Sequence, residues 1–170
     1  RTDSDEYRAL TQATFIELWK RGLVYESNRP NNYCTLCGST IADAEVAHEE
    51  IPSRLVQVKF GLKEKNTDLV IATTRPELLC ACQAVIVNPD DERYKGIHGM
   101  HAVLPLFNRE VEIKAHPAAR PEFGSGVVMI CSYGDHTDVQ LFREFGLQEI
   151  VAVNENGVMT GNAKQYEGMK

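Results

Sequence analysis

"EFGSGVVMICSYGDHTD", residues 122–138, decides how the rest of the chain is read. Its centre, Val127–Ile130, is apolar at every position, which suits a strand buried on both faces. Gly124 and Gly126 just before it let backbone or ligand come close. After it the chain turns at Ser132-Tyr133-Gly134 into a helix expected from about Asp135 to Phe145. Asp135 and Asp138 stand three apart in that first turn, so they share a face near unpaired backbone N–H groups. Aspartates are favoured there as caps and by the helix dipole. The same pair could also hold an ammonium group and a hydroxyl. Spacing alone leaves both readings open.

Working outward, "VIATTRPELL", residues 70–79, is an apolar strand ending in Thr73, Thr74 and Arg75, with Pro76 suited to a first helical position. Two hydroxyls and a guanidinium at a strand end make good phosphate or sugar contacts, although a capping threonine beside a surface arginine would look the same. The runs "RLVQVKFGL" and "DLVIATT" flank the turn-like "KEKNT". Further short β-like pieces, "QAVIV" and "HAVLPLFNREVEIKA", follow, and a hairpin turn is expected within Asn154–Gly157. Many short strands with few helices predict an α+β fold, a closed or half-closed β-barrel with helices packed outside.

The first 50 residues read as a separate appendage, so two regions are expected, 1–50 and 51–170. Leu10, Phe15, Leu18 and Trp19 recur at helical spacing, with Ser4 as N-cap and Gly22 as stop. Cys34-Thr-Leu-Cys37 is the usual half of a zinc knuckle and predicts a small zinc-ribbon-like element. A tetrahedral site needs four ligands, supplied either by His48 as a makeshift third or, preferably, by a second pair outside residues 1–170. Cys80, Cys82 and Cys131 sit in apolar runs and read as small core residues. A thiol nucleophile at Cys131 with His136 as its base is disfavoured, because an apolar setting raises a thiol pKa.

The 170 residues carry 43% hydrophobic and 25% charged side chains, which places the chain among globular proteins rather than disordered ones. No segment approaches a membrane span or a leader peptide. Five cysteines without a secretory signal favour a reducing compartment, and cytoplasm is the expectation. The opening "RTDSDEY" reads like a cut through a longer protein. A net charge of −6 without a basic stripe argues that any nucleic acid is gripped mainly elsewhere, or only by its tip.

Taken together, "IATTRPELL", "NPDDERYKGIHGM", "VLPLFNREVEI" and "EFGSGVVMICSYGDHTD" resemble the editing domain inserted into class I valyl-tRNA synthetases, and "NNYCTLCGSTIADAEV" fits the family's cysteine segment with Tyr33 in a tryptophan place. Leucyl and isoleucyl editing domains are the weaker matches. The resemblance implies a β-barrel that hydrolyses threonine from tRNA(Val) after transfer, and leaves open whether it also acts before transfer. A non-catalytic tRNA-binding fragment is the alternative. Asp138 would anchor the α-amino group and Asp135 read the threonine hydroxyl. Thr73, Thr74 and Arg75 would bind substrate, and Phe123 would line the pocket near the terminal adenosine. Met129 and Cys131 would also face the substrate, where they replace a lysine and a threonine of the common bacterial pattern "FGTGAVKITPAHDPND" with less polar side chains. No cofactor is expected for editing, and a structural zinc would belong to the full-length enzyme, with Cys34 and Cys37 as a half-site. The expected partners are the 3′ CCA end of the tRNA and the remaining synthetase domains. No signature of ATP-dependent aminoacylation is present.

Overall fold

Ser4 opens helix α1 (Asp5–Lys20), its hydroxyl accepting the Tyr7 N–H at 3.4 Å. Asp5 and Glu6 in the first turn and Lys20 in the last complement the helix dipole. Gly22 closes the helix by donating to the Trp19 carbonyl. No residue of α1 is buried. The computed structural model describes residues 1–27 and 30–170. Its two compact units are Arg1–Pro30, which holds α1, and Asn31–Lys170. The cysteine hairpin, β1 (Tyr33–Cys34) with β2 (Ser39–Thr40), therefore groups with the second unit.

The second unit is built on one six-stranded sheet. Its strands are β3 (Val56–Leu62), β4 (Asp68–Thr73), β5 (Cys82–Val87), β6 (His101–Val103), β7 (Glu110–Ala115) and β8 (Val127–Cys131). Their spatial order is β4-β3-β6-β7-β5-β8. Only the β5–β7 pair is parallel, with Val85 opposite Ile113; β5 and β8 run antiparallel, with Val85 opposite Met129. The two end strands, β4 and β8, come together without a hydrogen-bonded ladder, so the sheet curls into a nearly closed barrel. This is the half-closed barrel that the density of short strands predicts.

Burial follows the pattern of each strand. In β7 the apolar Val111 and Ile113 are buried between exposed Glu110 and Glu112, as a one-sided strand requires. In β5, by contrast, only Gln83 is not fully buried, because this strand is covered on both faces. One face meets the barrel interior, where Phe60, Ile71, Val85, Val87, Leu104 and Ile113 pack. The other meets a smaller cluster of Ala84, Ile86, Ala119, Ile130 and Leu141. Leu141 belongs to α2 (His136–Glu144), which thus lies against the outside of the barrel. Each fully buried isoleucine contributes about 1.5–3 kcal/mol through removal of apolar surface from water.

Two local expectations are met closely. Asp135 is the N-cap of α2 and Phe145 its C-cap. A turn forms at Asn154–Gly157, where the Gly157 N–H donates to the Asn154 carbonyl at 3.0 Å and Val153 bridges to Met159. Pro76 begins a short 3-10 helix, Pro76–Ala81, that carries the chain from β4 into β5.

Candidate functional site

A cavity of about 850 Å³ opens along the β4–β8 seam, the one place where the barrel wall is not laddered. From β4 and its exit it is lined by Ala72, Thr73, Thr74 and Arg75; from β8 by Val127, Met129 and Cys131; from the start of α2 by Asp135 and Asp138. Phe123 completes the rim. All eight side chains singled out as substrate-facing in the sequence therefore surround one cavity, although Thr73 and Asp138 are far apart in the chain. The cysteine pair does not take part.

Asp135 and Asp138 are arranged in series. Asp135 Oδ1 accepts the Asp138 N–H at 2.8 Å, which makes it the cap of α2, while Asp138 Oδ1 accepts the Cys131 N–H at 3.1 Å. Asp135 is thus a helix cap, and both carboxylates line the cavity. Asp138 lies against Gly134 so closely that a Cβ at 134 would fall 2.0 Å from its Oδ2. Burial pushes the Asp138 carboxyl up to about 6; the Asp135 charge adds to this, while the Cys131 N–H and Arg75 pull the other way. The burial effect prevails because Arg75 is not its direct partner: the Arg75 guanidinium pairs with Glu77. The Arg75 N–H donates to Thr73 Oγ1 at 3.0 Å, which fixes the Thr73 hydroxyl at the strand exit.

Met129 and Cys131 are buried and give this wall an apolar surface. The Cys131 thiol donates to the Leu78 carbonyl at 3.4 Å rather than to His136, and burial pushes its pKa far upward. Cys82, its cross-strand neighbour, is pushed up to about 12 by the same cause. Neither thiol is activated as a nucleophile.

The remaining wall is a pair of turns, 120–126, whose support the sequence reading missed. The Phe123 N–H donates to the Arg120 carbonyl at 3.1 Å, and the Gly126 N–H to the Phe123 carbonyl at 2.9 Å. Arg93 and Tyr94 pin these turns to the barrel. Arg93 Nη2 donates to the Pro121 carbonyl at 2.8 Å, and the Tyr94 hydroxyl to the Ser125 carbonyl at 2.8 Å. Arg93 is itself held by Asp91, Nη2 to Oδ2 at 2.6 Å, and this hydrogen-bonded partner keeps the Asp91 carboxyl below its usual range. Gly126 has φ +79° and sits in the cradle these residues make, where a Cβ would come within 2.6 Å of Arg93 Nη2. The signal was present in "NPDDERYKG": a run of charges that one partner, Asp91, takes into the interior. Arg120, also on the cavity lining, carried no sequence signal at all.

In the β1–β2 hairpin the Cys37 N–H donates to Cys34 Sγ at 3.4 Å, and this bond lowers the Cys34 thiol pKa. That is a donor pair suited to zinc, with two of four ligands. Among the described residues no third histidine, cysteine or carboxylate joins it, His48 included. Among the described residues no helix is long and apolar enough to cross a membrane.

Comparison with known proteins gives the chain a family. The family model for class I tRNA synthetases (I, L, M and V) matches residues 1–155, and the chain belongs to that family. Among curated proteins, the valine–tRNA ligase of Aeropyrum pernix is 51% identical over 168 residues, covering 99% of this chain and 20% of the relative. That of Nanoarchaeum equitans is 54% identical over 159 residues, 94% of this chain and 21% of the relative. That of Pyrobaculum aerophilum is 48% identical over 169 residues, 99% and 21% respectively. The chain thus spans about a fifth of the length of these relatives. Among solved structures, the ternary complex of Agrobacterium radiobacter K84 agnB2 LeuRS with tRNA and LeuAMS shares the fold at a TM-score of 0.51 and 20% identity, covering 56% of this chain and 15% of that one.

Proposed function

We propose that this chain is an editing domain that hydrolyses the ester between threonine and the 3′ end of a valine-specific tRNA. The observation that carries the reading is Asp138. It is a half-buried carboxylate at the cavity, raised to about 6, with an acidic neighbour and no ion-pair partner among the described residues. Such a group is suited to receive an ammonium, whose charge would relieve the cost of its desolvation.

Asp138 would anchor the α-ammonium and the free oxygen of Asp135 would accept the threonine hydroxyl. Valine, lacking that hydroxyl, would leave a desolvated acceptor unpaired at a cost of about 1–3 kcal/mol. Valyl-tRNA synthetases illustrate why a second site is needed: a hydrophobic pocket shaped for valine rejects threonine only ~10²-fold, so discrimination must be completed elsewhere. Thr73, Thr74 and Arg75 would hold the ribose side of the ester, and Phe123 the terminal adenine. No activated nucleophile lines the cavity, so water attacks the carbonyl, positioned by these groups. With a net charge of −6, the tRNA body is gripped by other synthetase domains and only its CCA end reaches the cavity. Cys34 and Cys37 would supply two thiolates of a structural zinc site in the longer enzyme, and no cofactor enters the hydrolysis.

The test is deacylation of threonyl-tRNA(Val) beside valyl-tRNA(Val). We expect selective loss of threonine, at least ~10²-fold slower in Asp138→Ala, with the rate falling as pH drops below about 6 because the protonated carboxyl no longer attracts an ammonium. Equal hydrolysis by the wild type and Asp138→Ala would remove the assignment.

A further inference from the structure

The cavity rim carries one cation that the ester chemistry leaves unused. Arg120 is exposed and lines the cavity, and its guanidinium makes no hydrogen bond or ion pair among the described residues. It is tied to the turn through its backbone, the carbonyl that accepts the Phe123 N–H at 3.1 Å. Every other charged group on the lining differs from it: Arg75 is engaged by Glu77, and Asp135 and Asp138 are anionic.

Phe123, in the same turn, is 60% exposed. An aromatic face left in water and a free guanidinium three residues away form the combination that holds a nucleotide: the ring stacks a base and the cation meets the adjoining phosphate. The turn is also rigid before any ligand arrives. Arg93 and Tyr94 clamp the carbonyls of Pro121 and Ser125, so little ordering entropy is lost on binding. Anions are kept out of the cavity's interior by Asp135 and Asp138, which directs a phosphate to the rim. The exposed Glu122 beside Arg120 opposes it and sets a modest affinity.

We infer that Arg120 is a binding residue for the 5′-phosphate of the adenosine whose base stacks on Phe123. This rests on the editing reading above and gives that site its outer limit. The shared chemistry, an adenosine 5′-phosphate, is offered both by a free mononucleotide and by an RNA 3′ end.

The experiment titrates the 170-residue chain with adenosine, 5′-AMP and the trinucleotide CpCpA, following amide shifts by NMR, for the wild type, Arg120→Ala, Arg120→Lys and Phe123→Ala. We expect AMP and CpCpA to bind about fivefold more tightly than adenosine, the range of an exposed charge pair. Arg120→Ala should bring both down to the adenosine level without changing adenosine itself. Arg120→Lys should restore part of the loss. The salt dependence of CpCpA binding should fall by about 0.7 in slope, one phosphate's worth for a single strand. Phe123→Ala should weaken all three ligands alike. The proposal is overturned if Arg120→Ala leaves AMP and CpCpA unchanged, or weakens adenosine as much as either. Loss confined to AMP would overturn the RNA-end assignment. Binding of none of the three by the wild type would instead remove the terminal-adenosine reading, and the role of Arg120 with it.

Discussion

Position 134 has room for a hydrogen and nothing more. The Cβ of an alanine there would lie 2.0 Å from Asp138 Oδ2, closer than any real contact, and Leu78 blocks retreat at 3.4 Å. Gly134→Ala must therefore displace the Asp138 carboxylate while leaving β8 and α2 intact. A displacement of about 1 Å in a positioning group can cost ~10²-fold in rate. We expect threonyl-tRNA deacylation to fall by that order, with an unchanged circular dichroism spectrum. The pH midpoint of the residual activity should also move, since the carboxylate leaves its present environment. An alanine variant with wild-type rate and pH profile would show that Asp138 acts from some other position.

At the scale of elements, the site depends on one loop holding another. The segment Asn88–Tyr94 contributes nothing to the cavity lining, yet Arg93 and Tyr94 fix the two turns that carry Arg120 and Phe123. Arg93→Ala removes the clamp on Pro121 and leaves the buried Asp91 without its cation. Hydrogen exchange should accelerate at the amides of Phe123 and Gly126, whose bonds close the turns, while β5 amides stay protected. The acid side of stability should change as well. Arg93 holds the Asp91 carboxyl below its ordinary value, so the pair contributes stability above pH ~4 that is lost as pH falls through the lower folded value. The variant should lack that loss on acidification. Uniformly faster exchange across the barrel would instead assign Arg93 a global role.

For the whole molecule, the cavity is a cost that the barrel carries. Burial raises the Asp138 carboxyl to about 6, so between pH ~4 and ~6 the folded chain holds a proton that the unfolded chain releases. Folding stability therefore declines as pH rises through that window, and the deficit is complete above it. Asp138→Asn keeps an acceptor for the Cys131 N–H and removes the charge. After allowing for the part-exposed carboxylate, the gain at pH 7.5 should be about 1 kcal/mol, or roughly 2–4 °C in Tm. At pH 4 it should vanish. The same variant should be inactive in deacylation, the expected exchange of function for stability at a desolvated site. A lower Tm at pH 7.5 would contradict the desolvation account.

What the sequence determined by itself is local. Ser4 and Asp135 cap their helices, Pro76 opens its 3-10 turn, and the alternation in β7 contrasts with the apolar run of β5 after Gln83. Each of these depends on residues within a turn or two of one another, so each was legible, as were the two aspartates and the Thr-Thr-Arg corner. The role proposed for those groups rests on resemblance rather than on spacing. Only the tertiary structure decided that β4 and β8 meet without a ladder, that Thr73 and Asp138 face one cavity, and that Asp91, Arg93 and Tyr94 hold its rim. It also decided the proton affinity of Asp138. Closure and desolvation depend on segments distant in the chain packing together, and no neighbouring residue encodes how much water is left around a carboxylate.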